Sequence, residues 1–342
     1  MSADALITIV LPTFRRPEML PKAIESVLNQ DFPHIALNIY DNCSNDETRD
    51  VVANYIRQDD RISYHCHPEN IGAAANYSYA LKEVDTPFFS FLADDDWLLP
   101  SFCSSALAAF EEFPASQFVF GRTVYDSSGT MAATNAALYQ PGIYSQPDGM
   151  LALLKNGFPP WIGILFRTEA LQDIGMYVTE ADGIDFGFLL RASHLEYAVF
   201  PRDVAVFRSH PGSASGQLSL GAVWPSHMDA ARTFLESSRI PQGSATVLAS
   251  LLHQRISRLI YTACRRALRI HDYEEAKSAA SILRTHFRKR AEGLLLGVLA
   301  ALMRRSVLLE RMIDAAYRWK TRGASLLPQP GASSPVADAP DK

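Results

Sequence analysis

Four short β-rich apolar runs alternate with three helical patterns between residues 6 and 92, and no other feature of the 342-residue chain restricts its fold as much. Leu6–Leu11 is the first run and reads as a strand ended by Pro12. Pro17 then opens a pattern that sets Leu20, Ala23, Ile24, Val27 and Leu28 on one helical face. Ala36–Tyr40 is the second strand, and Ser44 followed by Glu47 has the form of a capping box opening a helix that reaches Ile56. A strand over Ile62–His65, a helix over Ile71–Val84 and a strand over Pro87–Leu92 complete the series. This order predicts an α/β fold with a mostly parallel, Rossmann-like sheet flanked by helices.

Farther along, the spacing predicts a helix from Pro100 to Phe113, a strand over Phe118–Tyr125 and a turn at Asp126–Gly129. From there to Pro160 the pattern is loose. A short strand over Trp161–Phe166, a helix over Gly183–Ser193 and one or two strands over Ala198–Phe207 follow. From Ser226 to Lys320 the period is helical, and the Pro-, Ala- and Ser-rich tail from Gly323 predicts disorder. These changes divide the chain into 1–125, 126–225, a helical C-terminal region 226–322 and a tail 323–342. A hydrophobic content of 48% is enough for a sizeable core. The four cysteines, Cys43, Cys66, Cys103 and Cys264, are scattered without a C-x-x-C pair, so neither a zinc site nor a disulfide framework is expected. Reduced thiols fit a cytoplasm. The N-terminus lacks the form of a signal peptide. The longest apolar run, Gly293–Met303, falls short of the roughly 20 residues that span a bilayer.

Three polar clusters follow predicted strands: Pro12-Thr13-Phe14-Arg15-Arg16, Asp41-Asn42-Cys43-Ser44 and Asp94-Asp95-Asp96-Trp97. In a parallel sheet they share one edge, which is where ligands bind. The triplet Asp94–Asp96 is the sharpest of the three. Adjacent carboxylates repel one another unless a cation neutralises them. Mg²⁺ and Mn²⁺ typically take one or two carboxylates together with substrate phosphates. The alternative is a solvated acidic turn with Asp96 capping the next helix. The apolar strand pattern ahead of it, Phe88-Phe89-Ser90-Phe91-Leu92, favours the cation, because it aims the cluster from a buried scaffold.

ITIVLPTFRRPEMLPKAIESVLNQ, LNIYDNCSNDET, NIGAAANYSYAL and FFSFLADDDWLLP, in that order, resemble the successive signatures of glycosyltransferase family 2. The resemblance covers residues 6–125 closely and 160–215 less closely. It implies a GT-A fold and an inverting, metal-dependent enzyme. It implies that Pro12, Thr13, Phe14 and Arg15 line the nucleotide pocket, with Asp41 on the pyrimidine edge and Asn42 beside it. Asn70, Gly72 and Asn76, from the N-x-G-x-x-x-N pattern, would also face the donor, Gly72 through its backbone, with bracing of the loops the alternative for Asn76. Asp94 would sit near the ribose. Asp95 and Asp96 would hold the Mn²⁺ or Mg²⁺ that bridges the diphosphate. The family's D-x-D-D form has Ala93 in its first place here, so the metal-binding carboxylate of this shifted triplet stays open.

The segment TEADGIDFGFLLRA resembles the family's acidic stretch before a helix with a following Arg. Aligning Arg191 with that Arg places Asp185 as the catalytic base, ahead of Asp182 and then Glu180; capping of the helix by these acids is the alternative. In VFRSHPGS, His210 approaches the diphosphate or completes the metal shell, unless it is structural, and Ser213 and Ser215 fall on a loop able to order over the donor. Trp161 stacks on a sugar or belongs to the core.

The implied reaction moves a sugar from a nucleotide diphosphate donor to a glycan or lipid-linked acceptor, in cell-surface polysaccharide synthesis. Asp41 favours a pyrimidine and so UDP, with dTDP, CDP and GDP sugars behind it. A nucleotidyltransferase is disfavoured, because Pro12-Thr13-Phe14-Arg15 replaces the Gly-rich basic loop such enzymes carry. A non-catalytic sugar-nucleotide binder is a further alternative. Residues 251–322 hold 16 Lys+Arg against 6 Asp+Glu in a chain whose net charge is −5. The pairs Arg265-Arg266 and Arg304-Arg305 and the triplet Arg288-Lys289-Arg290 flank apolar stripes. Such helices lie on the inner face of an anionic membrane, pack on the catalytic domain, or pair with a second copy in a homo-oligomer. The expectation is a cytoplasmic protein with peripheral membrane contact through 251–322 and no nucleic-acid partner.

Overall fold

The computed structural model describes residues 4–127, 129–179, 184–210, 220–237, 239–240, 243–287 and 289–305. The four apolar runs become β1 (Ile7–Thr13), β2 (Ile35–Asp41), β3 (Ile62–Cys66) and β4 (Phe88–Phe91), paired in parallel in the order β3-β2-β1-β4. Every residue of β1 and β2 is buried, which is why these runs read as continuous rather than alternating. The connections are α1 (Leu20–Leu28), α2 (Thr48–Ile56) and α3 (Ala73–Lys82). α1 buries Leu20, Ala23, Ile24 and Val27, and each of its larger apolar side chains contributes about 1.5–3 kcal/mol.

Two local expectations change. β1 passes through Pro12 instead of stopping there, and the register explains it. The carbonyl of Val10 accepts from the Leu92 amide, on the β4 side. Backbone groups two residues apart face the same neighbour, so Pro12 faces that side too, where the β1–β4 pairing has already ended at Val10 and Phe91. Its missing N–H therefore costs no ladder bond. Ser44 does not cap α2. The Asp41 carboxylate takes both its amide and its hydroxyl, and α2 starts only at Thr48, whose N–H donates to Asp46 Oδ1 at 2.9 Å.

Beyond β5 (Trp97–Leu98) and α4 (Phe102–Glu112) the sheet becomes mixed. β6 (Phe118–Ser127), β9 (Ile164–Arg167) and β10 (Tyr197–Ser209) continue it in the order β4-β9-β6-β10-β5. β9 is antiparallel to both neighbours and β10 is parallel to β6. The stretch with no clear period holds β7 (Thr130–Ala133) on β6, β8 (Gly142–Tyr144) on β10, and α5 (Asp148–Asn156). β10 shifts register between Val199 and Ala205, and Gly121 of β6 fits beneath the irregularity. A Cβ at Gly121 would lie 2.7 Å from both Arg202 O and Val204 Cγ1, so this close approach requires glycine.

α6 (Leu171–Ile174) and α7 (Asp185–Ala192) separate β9 from β10, and α8 (Leu220–Leu235), α9 (Ala245–Arg269), α10 (Tyr273–Thr285) and α11 (Arg290–Arg305) follow. The chain divides into two compact units, 1–258 and 259–342. In the second, α10 and α11 cross closely: a Cβ on Gly293 would lie 2.6 Å from Ala280 O. Among the described residues no helix is long and apolar enough to cross a membrane. Glu180, Asp182, Ser213, Ser215 and the chain from 306 onward lie outside the described residues.

Candidate active site

The polar clusters converge where β1, β2 and β4 end. Thr13 Oγ1 donates to Asp94 Oδ2 at 2.8 Å, and the Phe14 N–H reaches the same oxygen at 3.4 Å. Arg16 Nη1 bridges Asp94 Oδ1 at 2.8 Å and Asp95 Oδ2 at 2.9 Å. His210, just past β10, places Nε2 3.0 Å from that Asp95 oxygen. Asp96 points elsewhere: it is buried, and its Oδ1 accepts the Arg208 N–H at 2.8 Å. The triplet thus divides its work. Asp94 organises the turn after β1 and Asp96 fastens β10. Asp95, with 10% of its side chain exposed against 6% for Asp94, is the less enclosed of the two acids that pair with Arg16. This geometry takes Asp96 out of the metal set expected from sequence, because its carboxylate already serves the β10 backbone.

The electrostatics follow from burial. Burial lifts the Asp94 pKa above the usual carboxylate range, with Arg16 opposing and Asp95 adding to the rise. Asp96 is lifted well above that range, by burial first and the Asp95 charge second. Burial alone would lower the Arg16 pKa, but Asp94 and Asp95 together raise it. A carboxylate oxygen and an imidazole nitrogen 3.0 Å apart form a donor pair that suits Mn²⁺ or Mg²⁺, with phosphate and water oxygens completing the shell. Among the described residues no cluster of three or more His, Cys, Asp or Glu side chains offers a complete protein cage.

The β2 cluster is largely internal. Asp41 is 2% exposed. Its Oδ1 accepts from the Ser44 N–H at 2.9 Å and hydroxyl at 2.6 Å, and its Oδ2 accepts from the Tyr64 hydroxyl at 2.6 Å. Asn42 Oδ1 accepts the Ile71 N–H, and Asn42 Nδ2 donates to Asn70 Oδ1, both at 2.9 Å. That Asn70 oxygen also takes the Gly72 N–H at 2.9 Å, and Gly72, at φ 86°, leads into α3. Asn76 is 2% exposed, donates from Nδ2 to Tyr40 O at 2.9 Å and holds His67 Nε2 at 3.0 Å through Oδ1. Asn76 therefore fastens α3 to β2, which fits the bracing role rather than a donor contact. Pro12 is buried in β1, whereas Phe14 is half-buried and Arg15 is exposed. The Arg15 N–H donates to Ser44 Oγ at 2.8 Å, and its Cζ lies 4.9 Å from the Phe14 ring centroid.

Asp185 opens α7 directly after Ile184, a β-branched residue at φ 54°. Of the five non-glycine residues with positive φ among the described residues, Arg15, Cys43, Asn45 and Ile184 flank this site; strain of that kind concentrates at functional centres. Asp185 is exposed, though surrounding protein partly desolvates its carboxylate. That enclosure raises its pKa above the usual carboxylate range, against its own and the Phe186 backbone N–H groups and the charge of Arg255. Arg191 secures the approach to Asp185: Nε donates to Ile174 O at 2.8 Å and Nη2 to Tyr177 O at 2.6 Å. Ser78 Oγ accepts the Val178 N–H at 2.8 Å and donates to Val178 O at 2.9 Å, tying the same segment to α3.

Two residues of the site escaped the sequence reading of roles. Arg16 carries the contact to the acids, while its neighbour Arg15 turns away. Tyr77 packs its ring 4.6 Å from Trp161 and 5.6 Å from Phe91. Its phenol pKa is raised well above the usual value, by burial first and then by Asp94, Asp95, Asp96 and Asp185, so it stands within electrostatic reach of both the triplet and Asp185. Nothing but its place one residue after Asn76 marks it in the sequence. Trp161 is 9% exposed and stacks on Phe91 at 4.4 Å, which makes it a core residue.

With this geometry in place, residues 8–175 match the family model described as glycosyl transferase family 2. A GalNAc(5)-diNAcBac-PP-undecaprenol beta-1,3-glucosyltransferase of Campylobacter jejuni is 31% identical over 155 residues, covering 44% of this chain and 50% of that protein. The chain thus spans half the length of that relative. Among solved structures, S. aureus TarS 1-349 in complex with UDP-GlcNAc superposes with a TM-score of 0.65 at 15% identity, covering 87% of this chain and 91% of that one. The mannosyltransferase PcManGT from Pyrobaculum calidifontis, in complex with GDP-Man and Mn²⁺, superposes with a TM-score of 0.50 at 15% identity over 88% and 87% of the two chains. These two likenesses establish the fold, which is GT-A.

Proposed function

Through residues 8–175 the chain belongs to glycosyltransferase family 2, and from that membership we propose that it transfers a sugar from a UDP donor to a hydroxyl of a glycan or lipid-linked acceptor, with inversion, in cell-surface polysaccharide synthesis. The observation that carries the reading is the single sheet edge on which Asp95, His210 and Arg16 stand, with Tyr77 close enough to feel both the triplet and Asp185. The relative from C. jejuni, by its name a glucosyltransferase on a PP-undecaprenol-linked glycan, supports the acceptor class. The UDP-GlcNAc complex of the S. aureus structure supports the donor.

In the proposed reaction Asp185 accepts the proton of the acceptor hydroxyl as that oxygen attacks the anomeric carbon. The bond from that carbon to the diphosphate oxygen breaks, the diphosphate departs with the electron pair, and the configuration inverts. A carboxylate with a raised pKa is a better proton acceptor near neutral pH than an unperturbed one. Arg16 is placed to add positive charge beside the departing diphosphate. Asp95 and His210 would hold a divalent cation, which when bound supplies Lewis-acid charge against that leaving group. Incubation with UDP-, dTDP-, CDP- and GDP-sugars and Mn²⁺ tests the donor. A UDP sugar should give the largest rise in melting temperature and release UDP. A panel in which no nucleotide sugar does either would remove the reading.

The helical region supports contact with an anionic membrane. α11 exposes Leu294, Leu295, Val298 and Leu302, and the sequence around it carries the excess of basic residues. A basic, apolar-faced helix binds such interfaces in a salt-sensitive way. The protein should co-sediment with vesicles containing anionic lipid at low ionic strength and release from them when salt is raised. Indifference to such vesicles at low salt would count against this contact.

A further inference from the structure

Arg255, on α9 and within the first compact unit, is a cation near Asp185 that the reaction above does not use. Its guanidinium is largely enclosed, with Cζ 4.7 Å from the Phe158 ring centroid and 5.7 Å from that of Phe186. It seats against Gly157, where φ is 94° and a Cβ would lie 2.7 Å from Nη1. The end of α5 that it rests on is fixed: Tyr139 donates its hydroxyl to Gly157 O at 2.5 Å, and Asn135 Nδ2 donates to Phe158 O. No hydrogen bond or carboxylate contact within 4 Å is formed by Arg255 among the described residues. A half-buried cation without a carboxylate partner carries a desolvation cost, and aromatic faces compensate only in part. Arg is the cation suited to such a stacked seat, and a Lys there is not equivalent. Phe186 is the residue after Asp185; its ring also meets Phe158 edge-on at 5.8 Å and stacks on the ring of His227 from α8 at 4.3 Å. Helices α8 and α9 thus grip the residue next to the base from two directions.

We propose that Arg255 is a positioning residue for the transfer, holding the Asp185 turn through Phe186 and providing the cation that favours the Asp185 anion. The inference rests on Asp185 being the base. Among the described residues, the groups that act on Asp185 are Arg255 from α9, the Tyr77 phenol from α3 and the first-turn N–H groups of α7 itself, with His227 of α8 stacked on Phe186. Arg255 lowers the Asp185 pKa, opposing the rise due to burial. The acid limb of the kcat/KM profile should therefore lie at lower pH in the wild type than in a protein without that cation.

Full-length Arg255→Met and Arg255→Gln should each move the acid limb to higher pH and lower kcat/KM at pH values on that limb, with the plateau above it less affected. Arg255→Lys keeps the charge and should leave the limb closer to the wild-type position than either neutral variant does. Thermal melts identify variants that fold. If Met unfolds the protein, Gln and Lys still give the comparison, because a merely structural arginine would leave the limb in place in any folded variant. An unmoved limb in a folded neutral variant overturns the proposal. The outcome for Asp185→Asn separates the two ideas. Loss of transfer in that variant together with an unmoved limb removes the role of Arg255 alone, whereas undiminished transfer in Asp185→Asn removes the base on which it rests.

Discussion

Asp185→Asn lowers kcat for sugar transfer by about 10²–10⁴-fold, the usual contribution of a positioned general base, and leaves UDP affinity within about twofold. The asymmetry follows from the geometry. Asp185 begins α7, apart from Asp95, Arg16 and His210, which carry the proposed diphosphate contacts. Asn keeps the shape and the oxygen that accepts the Phe186 and Asp185 N–H groups, so the turn survives. Losing a carboxylate from a helix N-terminus costs only about 0.3–1 kcal/mol. In the wild type the rate rises with pH through the Asp185 pKa, because only the ionised carboxylate accepts a proton. That pKa is raised, so the acid limb lies above the ordinary carboxylate range. Steady-state kinetics with calorimetry on the same preparation provide the check. An Asp185→Asn enzyme with kcat unchanged assigns the base elsewhere, Asp182 first.

Asp95→Ala has the second large effect and acts on the other half of the site. Asp95 shares Arg16 with Asp94 and shares His210 with no other acid among its recorded contacts. Removing it should reduce kcat/KM by about 10²–10³-fold, the scale on which a preorganised charge at the leaving group acts. The stability result is expected to run the opposite way. The Asp95 charge pushes up the pKa values of Asp94 and Asp96, so the three acids repel, and removing the middle one relieves that repulsion. Without metal the variant should melt no lower than the wild type. With Mn²⁺ and UDP the wild type should gain stability and the variant should not, since only binding to the folded state stabilises it. A variant that gains as much as the wild type would exclude Asp95 as a ligand.

How far these residues could be found without coordinates depended on the range of the interaction that fixes each one. The strand–helix alternation of the first 92 residues rests on periodicity and survived nearly intact. So did the convergence of Thr13, Asp94 and Asp95 at one edge, because parallel topology requires it. Errors arose where a side chain chose a partner that spacing does not reveal. Ser44 and Glu47 have capping-box spacing, but the Asp41 carboxylate is three residues away and takes Ser44 first. Arg15 and Arg16 are chemically alike in sequence, and the left-handed backbone at Arg15 decides which guanidinium reaches the acids. Asp96 stands beside two acids yet belongs to β10, a strand about 110 residues later, and its role depends wholly on that pairing. α5 was missed because it buries only Met150, Leu153 and Leu154 as large apolar residues, too few for a periodic signal. Tyr77 and Arg255 carry no motif, and their roles come from packing alone.

The central claim is that Asp95 and His210 bind a divalent cation together with the donor diphosphate. Titrating UDP into the protein by calorimetry, first with a chelator and then with Mn²⁺, tests it most directly. Binding should strengthen by at least about tenfold, or about 1.4 kcal/mol, when Mn²⁺ is present, and Asp95→Ala should abolish that gain. UDP that binds equally well with chelator and with Mn²⁺, or Mn²⁺-assisted binding that persists in Asp95→Ala, would contradict it.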